Sequence, residues 1–374
     1  MDINFPTIEH MDDILHEFEG RSEFRVLDRG SYFVIDYTYV DKDTFANDIL
    51  REGRGLKFDS EGRIIGRPFH KFFNLGEKPE SSPENLSWDC PINVETKHDG
   101  SMIHPVLIDG EIVLMTRKGN TDVALQAESE CDVPWDNMRK FLHAGITPMY
   151  EFVSPTNRIV VDYEKPELRF LAAREMVSGR YINFGINQNR RKTLIGGDFS
   201  LDLLVDEVRN MKGEEGVVLV WPNGHRVKMK ADEYVALHRN IDLSGAENRL
   251  LEVILAGNHD DLIPMLTEQR AAAVTEYASI VLGNVMAKAS EMESFVALRE
   301  GISQKEFAME VNAVIPKVLR SAYFCYRLGG DARQIMLDRY MKVMYKQKDV
   351  DEHRFELLNN HSLYQVMLNN GINT

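Results

Sequence analysis

The segment 97–100, which reads Lys-His-Asp-Gly, is the first feature of the sequence that could do chemistry. It follows an apolar-polar run at 92–95 and precedes a strand-like run at 102–107, so we expect Lys97 at a turn beside two strands. A lysine amine becomes a nucleophile when burial or neighbouring positive charge lowers its pKa. Taken alone, the pattern is more typical of an ordinary surface turn.

Lys228 and Lys230 form a second candidate feature. Because residues i and i+2 of a strand share a face, both lysines should lie on one face, with Val227 and Met229 on the other. Two lysines on one face suit a polyanion such as a triphosphate, and they would lower the pKa of a third lysine nearby. A solvated strand face is the alternative that this pattern leaves open.

Two carboxylates and one arginine stand in contexts that favour a binding site. Glu215 precedes Gly216 at the start of an apolar run, where a carboxylate oxygen beside closely approaching backbone can bind metal. Glu151 lies between apolar residues of a predicted strand and therefore needs a partner. Arg54 is flanked by glycines and suits phosphate oxygens. Each of these features is weak by itself.

The elements that must position these residues are predicted to be strands and turns over the first two thirds of the chain. Runs at 32–39, 102–107, 111–116 and 148–153 are rich in apolar and β-branched residues. An Asp-Gly pair at 109–110 and an Asn-Gly pair at 223–224 separate strand-like runs and predict β-hairpins.

The last third of the sequence changes to helical periodicity. Apolar residues recur at helical spacing from about residue 250, through 271–290, 307–328 and 335–345. Gly329-Gly330 is expected to separate two helices, with Asp331 as the N-cap of the second. We therefore predict an α+β protein, with antiparallel sheets and flanking helices in 1–240 and an all-helical domain in 241–374.

Charge and cysteine content exclude several classes of protein. The net charge is −15, of which residues 241–374 contribute −4, so coating DNA through bulk positive charge is not expected. Three widely spaced cysteines form no CxxC pair and argue against a disulfide scaffold or a thiolate zinc site, and they suit a reducing cytoplasm. Neither a signal peptide nor an apolar run of 18 residues is apparent, so no membrane partner is expected.

The order and spacing of these features resemble the motif series of covalent nucleotidyltransferases, the ATP-dependent polynucleotide ligases and capping enzymes. Further segments resemble the bacteriophage RNA ligase 1 family, whose type member comes from a T-even phage. The motifs that carry the resemblance are Tyr37, Arg54, Lys71–Leu75, Lys97-x-Asp99-Gly100, Glu151–Val160, Glu215-Gly216, Lys228-x-Lys230 and Ala231–His238.

The resemblance implies an adenylation domain that joins RNA ends in three steps: lysine adenylation by ATP, transfer of AMP to a 5′-phosphate, and attack by a 3′-hydroxyl. It implies Lys97 as the nucleophile, with Lys228 and Lys230 lowering its pKa and neutralising the α-phosphate. Arg54 and Lys71 match positions that hold the β- and γ-phosphates.

The resemblance also implies roles for the acidic and aromatic residues. Glu151 matches a carboxylate that contacts the AMP ribose or a metal, and Glu215 one that positions metal. Asp260 matches, in the helical part, a carboxylate that binds metal through water, and a solvated helix start is the open alternative. Tyr37 matches a tyrosine near the nucleotide, and a core aromatic residue of a strand is the open alternative. Tyr234 matches a family position to which no role is assigned.

ATP is the implied co-substrate, and Mg²⁺ or Mn²⁺ the implied metal, because a triphosphate beside an acidic chain needs a divalent counter-charge. The implied partner is single-stranded RNA or a nicked tRNA anticodon loop, bound by a monomer in the cytoplasm of an infected host cell during tRNA repair. A basic helix bearing tyrosines could contact this RNA, although a solvated helix face is the ordinary interpretation. Its residues are Arg333, Arg339, Tyr340, Lys342, Tyr345, Lys346 and Lys348.

Two other functions compete with this interpretation. A DNA ligase or capping enzyme usually continues after the lysine pair into an OB-fold, whereas this sequence becomes helical there. A catalytically inactive relative that only binds nucleotide or RNA would be expected to have lost motif residues, and Lys97, both carboxylates and the lysine pair are all present.

Overall fold

The computed structural model describes most of the chain: residues 4–38, 40, 43–157, 161–183, 188–195, 199–234, 247–257, 259, 263, 266, 268–344 and 353–371. Asp260, Tyr345, Lys346 and Lys348 lie outside the described residues. The chain divides into two compact units, one of Met1–Thr38 with Lys42–Asn240 and one of Tyr39–Asp41 with Ile241–Thr374.

The described strands form three sheets, all in the first unit. Their orders are β1-β2-β3-β4, β10-β9-β7-β8 and β11-β6-β12-β13-β5, and every pairing is antiparallel except that of β13 with β5. The strands are β1 (Phe24–Asp28), β2 (Tyr32–Tyr37), β3 (Leu56–Asp59), β4 (Ile64–Gly66), β5 (Phe73–Asn74), β6 (Ile92–Lys97), β7 (Ser101–Ile108), β8 (Glu111–Met115), β9 (Ile146–Val153), β10 (Glu167–Glu175), β11 (Arg190–Leu194), β12 (Gly216–Val220) and β13 (Arg226–Lys230).

The described α-helices flank the sheets in the first unit and make up the second. Those of the first unit are α1 (Leu15–Phe18), α2 (Asp48–Glu52), α3 (Asp122–Glu130), α4 (Trp135–His143) and α5 (Leu201–Arg209). Those of the second are α6 (Glu247–Leu255), α7 (Glu268–Ala297), α8 (Gln304–Val314), α9 (Arg320–Arg327), α10 (Ala332–Met344), α11 (Arg354–Leu358) and α12 (Leu363–Asn369).

The five-stranded sheet has one apolar face and one charged face, because its strands alternate apolar and polar residues. Val94 of β6, Leu219 of β12 and Val227 of β13 are buried on the apolar face. Leu204 and Val208 of α5 belong to the same hydrophobic core. The opposite face is thereby left for the polar side chains of β6 and β13.

Both predicted hairpins are confirmed. Asp109 and Gly110 each have a positive φ, 51° and 84°, between β7 and β8, as a two-residue hairpin turn of type I′ requires. The turn between β12 and β13 contains Gly224, whose φ is 89°. This second loop extends from 221 to 225, between the end of β12 at Val220 and the start of β13 at Arg226.

The second unit packs around the 30-residue helix α7. This helix contacts α6, α9, α10, α11 and α12. The expected helical stretch at 307–328 is wrong as a single helix, because α8 ends at Val314 and α9 begins at Arg320, with Pro316 between them. Asp331 caps α10 as predicted, since its side chain accepts from the backbone N–H of Gln334 at 3.1 Å.

Tyr340 does not have the exposed position that stacking on an RNA base would need. Its side chain is fully buried, and its hydroxyl donates to the carbonyl oxygen of Leu357 at 2.8 Å. Arg339 donates to the carbonyl oxygen of Val318. Tyr340 is therefore a core residue, and Lys342 is exposed on the same helix.

The predicted α+β class is confirmed: antiparallel sheets come first and a helical C-terminal region follows. Among the described helices, none is both long and apolar enough to cross a membrane.

Candidate active site

Lys97 and Lys230 lie in one row across three neighbouring strands. In the register of the five-stranded sheet, Gly216 of β12 is directly opposite Lys97 of β6 on one side and Lys230 of β13 on the other. Gly216 has a φ of 146°, and a Cβ atom there would overlap the carbonyl oxygen of Met229. A glycine is required at this position, so no side chain separates the two lysines.

Glu215 joins these two lysines through its carboxylate. Its Oε2 lies 2.6 Å from Nζ of Lys97, and its Oε1 lies 3.3 Å from Nζ of Lys230. The Glu215 side chain is only 4% exposed, whereas that of Lys97 is 24% exposed. The buried carboxylate of Glu215 therefore contacts two ammonium groups, and Lys97 is the more accessible of these two lysines.

The next row of the same face carries Lys228. Val218 of β12 lies opposite Lys228 on one side and Glu95 on the other, and Oε2 of Glu95 is 3.7 Å from Nη1 of Arg226. Val227 and Met229 are buried in the core beneath. The prediction that the two lysines share one strand face is confirmed by this register.

Asp99 and Gly100 fix the turn that follows Lys97. Asp99 is buried, and its Oδ2 accepts from the backbone N–H of Val161 at 2.7 Å. Its own backbone N–H donates to the hydroxyl of Tyr163 at 3.0 Å. A Cβ atom at Gly100 would overlap the carbonyl oxygen of Phe152, so β9 can approach the turn this closely only if residue 100 is glycine.

Tyr234, whose role the sequence left uncertain, has a definite partner. Its buried hydroxyl donates to Oδ1 of Asp99 at 2.7 Å. Nζ of Lys230 lies 5.3 Å from the centre of the Tyr234 ring. Tyr234 thus connects the end of the lysine-pair strand to the turn that carries Lys97.

Glu151 is half-buried on β9, opposite Met102 of β7. Burial raises the pKa of Glu151 to about 8, and the negative charges of Glu215 and Asp99 act in the same direction. The positive charges of Lys97 and Arg54 oppose this rise in the pKa. The predicted site residues Lys97, Arg54, Glu215 and Asp99 therefore surround Glu151 closely enough to act on its charge.

Arg54 follows helix α2 in a loop that is anchored by a buried ion-pair network. Glu52, at the end of α2, accepts from Nη2 of Arg67 at 2.9 Å and from Nη1 of Arg174 at 2.7 Å. All three of these side chains are almost completely buried. Burial raises the pKa of Glu52, but the charges of Arg174 and Arg67 outweigh this effect and hold the pKa below its usual value.

One nitrogen of Arg54 itself is left without a protein acceptor. Nη1 of Arg54 is buried and has no hydrogen-bond partner within the described part of the chain. A buried guanidinium N–H without an acceptor is costly, and a phosphate oxygen would satisfy it. The geometry therefore agrees with the phosphate-binding role that the resemblance implies for Arg54.

Tyr37 and Lys71 lie together in an aromatic cluster. Nζ of Lys71 is 5.7 Å from the ring centre of Tyr37, 5.1 Å from that of Phe45 and 5.7 Å from that of Phe73. Lys71 precedes β5, which pairs with β13 so that Asn74 lies opposite Lys228. The structure thus brings the Lys71 segment beside the lysine pair, and it places the Lys71 ammonium against aromatic rings.

His98 belongs to a polar cluster that sequence reasoning missed. Nη1 of Arg169 lies 3.1 Å from Nδ1 of His98, and Nε2 of His98 lies 2.9 Å from Oδ1 of Asn189. Because a guanidinium only donates, Nδ1 of His98 must accept, so this ring is neutral with its proton on Nε2. Burial lowers the pKa of His98, which agrees with that form.

Arg169 is the member of this cluster that comes nearest to the predicted site. It lies directly opposite Glu151 in the pairing of β10 with β9. Arg169, Asn189, Arg67 and Arg174 gave no signal in the motif series. The only available signal was indirect, namely that Arg174 directly follows two alanines, at positions 172 and 173.

The donor atoms suit Mg²⁺ or Mn²⁺ in kind. Glu151 and Glu215 are carboxylates; the charge of Glu215 raises the cost of ionising Glu151, and a divalent cation would relieve that cost. Within the described ranges, no group of three or more His, Cys, Asp or Glu side chains could hold a metal ion by itself. Mg²⁺ is commonly held by one or two carboxylates together with substrate phosphates. Asp260 lies outside the described residues.

A known family model matches the part of the chain that contains most of these residues. The model of a family described as RNA ligase matches residues 52–234, a range that contains Arg54, Lys97, Glu151, Glu215 and Lys230. Tyr37 and Asp260 lie outside the matched range.

Two relatives and one solved structure are similar to the chain. A protein of Thermovibrio ammonificans named "Putative RNA ligase" is 32% identical over 217 residues, which cover 54% of this chain and 56% of that relative, little more than half its length. RNA ligase 1 of Bacteriophage TS2126 is 26% identical over 333 residues, covering 81% of this chain and 82% of that relative. A solved archaeal ATP-dependent RNA ligase is 17% identical with a TM-score of 0.45, covering 89% of this chain and 95% of that one. In its matched motifs and its sequence relatives, the chain is similar to RNA ligases.

Proposed function

We propose that this protein is an ATP-dependent ligase of single-stranded RNA, which joins a 5′-phosphate to a 3′-hydroxyl through a lysyl-AMP and an RNA-adenylate. The observation that carries the proposal is the row Lys97–Gly216–Lys230, with the carboxylate of Glu215 between the two lysines. A partly exposed lysine beside further cations suits attack on a phosphate and stabilisation of the charge that develops there.

In the first step, Nζ of Lys97 attacks the α-phosphorus of ATP. An N–P bond forms, the bond to the bridging oxygen breaks, pyrophosphate leaves, and the amine loses its proton. Glu215 holds Nζ in place, and Lys228 and Lys230 supply positive charge on the same strand face. This positive charge stabilises the negatively charged transition state.

Arg54 and Lys71 bind the β- and γ-phosphates in this proposal. The buried Nη1 of Arg54 supports its role, since a phosphate oxygen would provide the missing acceptor. Glu151 and Glu215 would hold Mg²⁺ or Mn²⁺, which supplies counter-charge for the phosphates when bound. Tyr37 contributes to the nucleotide site through its contacts with Lys71 and Arg117.

The remaining two steps transfer AMP to the 5′ end of the RNA and then release AMP as the RNA ends are joined. A 5′-phosphate oxygen attacks the phosphorus of lysyl-AMP and frees Nζ of Lys97. The 3′-hydroxyl of the other end then attacks the 5′-phosphorus, so a phosphodiester forms and AMP leaves. The similarity to a phage RNA ligase over 81% of this chain supports repair of broken RNA, including nicked tRNA anticodon loops, during infection as the biological setting.

Labelled ATP tests the proposal directly. Incubation with Mg²⁺ and ATP labelled at the α-phosphate should transfer label to the wild-type protein and to Lys140→Ala, a change at an exposed lysine of α4. Lys97→Ala should take up no label but should still join RNA that already carries a 5′-adenylate. A labelled Lys97→Ala protein would remove Lys97 as the nucleophile, and an unlabelled wild type would reject the proposed function.

A further inference from the structure

A buried polar cluster lies behind the Arg54 loop, and the motif series does not include it. Lys57 of β3, Asp36 of β2 and His104 of β7 are each fully buried in the first unit. Leu56 and Phe58, the neighbours of Lys57 in β3, are also fully buried. An apolar residue at position 57 would fit such a strand, and a buried lysine needs hydrogen-bond partners.

Lys57 finds those partners on two separate backbone segments. Its Nζ donates to the carbonyl oxygen of Gly55 at 2.7 Å and to that of Arg117 at 3.0 Å, and it lies 3.4 Å from Nε2 of His104. A charged ammonium has three donors and a neutral amine has two, so either form can serve both carbonyl oxygens.

The two segments are packed closely at this point. Gly55 has a φ of 88°, and a Cβ atom there would lie 2.7 Å from the carbonyl oxygen of Arg117. The backbone N–H of Gly55 donates to the carbonyl oxygen of Ile35 at 2.9 Å. Lys57 therefore lies at a junction of three parts of the chain. These are the segment after Arg54, the segment after β8 and strand β2.

Each segment carries a residue of the proposed nucleotide site. Gly55 directly follows Arg54. Arg117 lies over the Tyr37 ring, with its guanidinium carbon 4.0 Å from the ring centre, and its Nη1 donates to the carbonyl oxygen of Tyr37 at 3.3 Å. The same Nη1 lies 3.3 Å from Oδ1 of Asp36.

We propose that Lys57 is a positioning residue for the adenylation step: by binding the carbonyl oxygens of Gly55 and Arg117, it sets the position of Arg54 relative to Tyr37. The inference rests on the proposed function, because it assigns Lys57 an effect on ATP. The inference has a specific consequence: loss of Lys57 should slow self-adenylation by ATP much more than it slows the joining of pre-adenylated RNA. ATP carries the phosphates that Arg54 is proposed to bind, whereas pre-adenylated RNA carries no γ-phosphate.

The test separates those two steps in full-length protein. Lys57→Met keeps the side-chain length but removes the donors of both hydrogen bonds to the carbonyl oxygens. Lys57→Gln keeps an N–H donor on a shorter side chain and serves as the second variant if Lys57→Met fails to fold. Displacement of a binding group by about 1 Å can cost on the order of 10²-fold, so we expect a loss of that size in kcat/KM for self-adenylation by ATP, with a raised KM for ATP. Joining of pre-adenylated RNA should fall far less, and Lys57→Gln should show a smaller loss than Lys57→Met.

Val208→Ala is the matched control, because Val208 is buried in α5 and belongs to a different hydrophobic core from Val34, the strand partner of Lys57. It should lower the melting temperature. The ratio of the self-adenylation rate to the rate of joining pre-adenylated RNA should stay at the wild-type value. Lys57 variants with the wild-type ratio would overturn the inference and leave the proposed function intact. A wild-type protein that takes up no AMP would instead reject the proposed function itself.

Discussion

Nζ of Lys97 lies 2.6 Å from Oε2 of Glu215, across the strand boundary between β6 and β12. The same carboxylate is 3.3 Å from Lys230. Glu215 therefore both anchors Lys97, the proposed nucleophile, and provides a counter-charge for Lys230. The adjacent Glu214 pairs instead with Arg191 at the protein surface.

Substitutions of the neighbouring residues Glu215 and Glu214 should differ in their effect on self-adenylation. We expect Glu215→Gln to lower self-adenylation on the order of 10²-fold or more, because a charged group that positions the reacting centre is lost. Glu214→Gln should remain close to wild type. Uptake of AMP from labelled ATP is the measurement, and equal rates for the two variants would mean that Glu215 does not act on Lys97.

The lysine pair provides an internal comparison of the two faces of one strand. Lys228→Ala and Lys230→Ala each remove a cation from the charged face of β13, and each should lower adenylation on the order of 10²-fold. Met229→Leu changes the buried face with nearly constant volume and should cost less than about 1.5 kcal/mol of stability. If all three variants adenylated at the same rate, the charged face of β13 would not be the phosphate-binding face.

The network behind Arg54 should be important for stability rather than for contact with ATP. Glu52→Gln leaves Arg67 and Arg174 buried without their carboxylate, and removal of one partner of a buried ion pair typically costs about 3–5 kcal/mol. Glu61→Gln is the control, since Glu61 pairs with Arg63 at an exposed position. Urea unfolding of both variants gives the comparison, and a loss below about 1 kcal/mol for Glu52→Gln would show that the arginines find other partners.

The sequence predicted those parts of the site that depend on local pattern. Alternation placed Lys228 and Lys230 on one face, and the glycines at 100 and 216 mark places where two strands approach too closely for a side chain. The hairpins followed from Asp-Gly and Asn-Gly pairs.

Partners that are distant in the sequence left no such pattern. Glu52 meets Arg174, which is 122 residues away, and His98 meets Arg169 and Asn189, 71 and 91 residues away. Tyr340 was misassigned for a related reason: helical spacing alone did not show which face of the helix the second unit would bury. Such pairings depend on the complete topology.

Tyr234 should contribute to stability through a single hydroxyl. Tyr234→Phe removes the hydrogen bond from this hydroxyl to Oδ1 of the buried Asp99, and loss of one hydrogen bond to a charged group costs about 1.5–3 kcal/mol. The expected result is a matching fall in the free energy of unfolding, together with slower adenylation because Asp99 fixes the turn after Lys97. Tyr364→Phe, at an exposed tyrosine of α12, should change neither quantity. An unchanged free energy of unfolding for Tyr234→Phe would show that the hydroxyl does not stabilise Asp99.

Glu151 should make the stability of the protein depend on pH when neither metal nor ATP is present. Its pKa is raised from 4.5 to about 8 by burial, so between these values the folded protein holds a proton that the unfolded chain has lost. The contribution of Glu151 to the free energy of unfolding is therefore fully present at low pH and falls as the pH rises from about 5 to about 8. Glu151→Gln stays neutral throughout, so its free energy of unfolding relative to wild type should rise across this interval. Urea unfolding at a series of pH values measures that difference. A constant difference would mean that the folded protein accommodates the ionised carboxylate of Glu151 without cost. The electrostatic reason for expecting a cation beside Glu151 would then be absent.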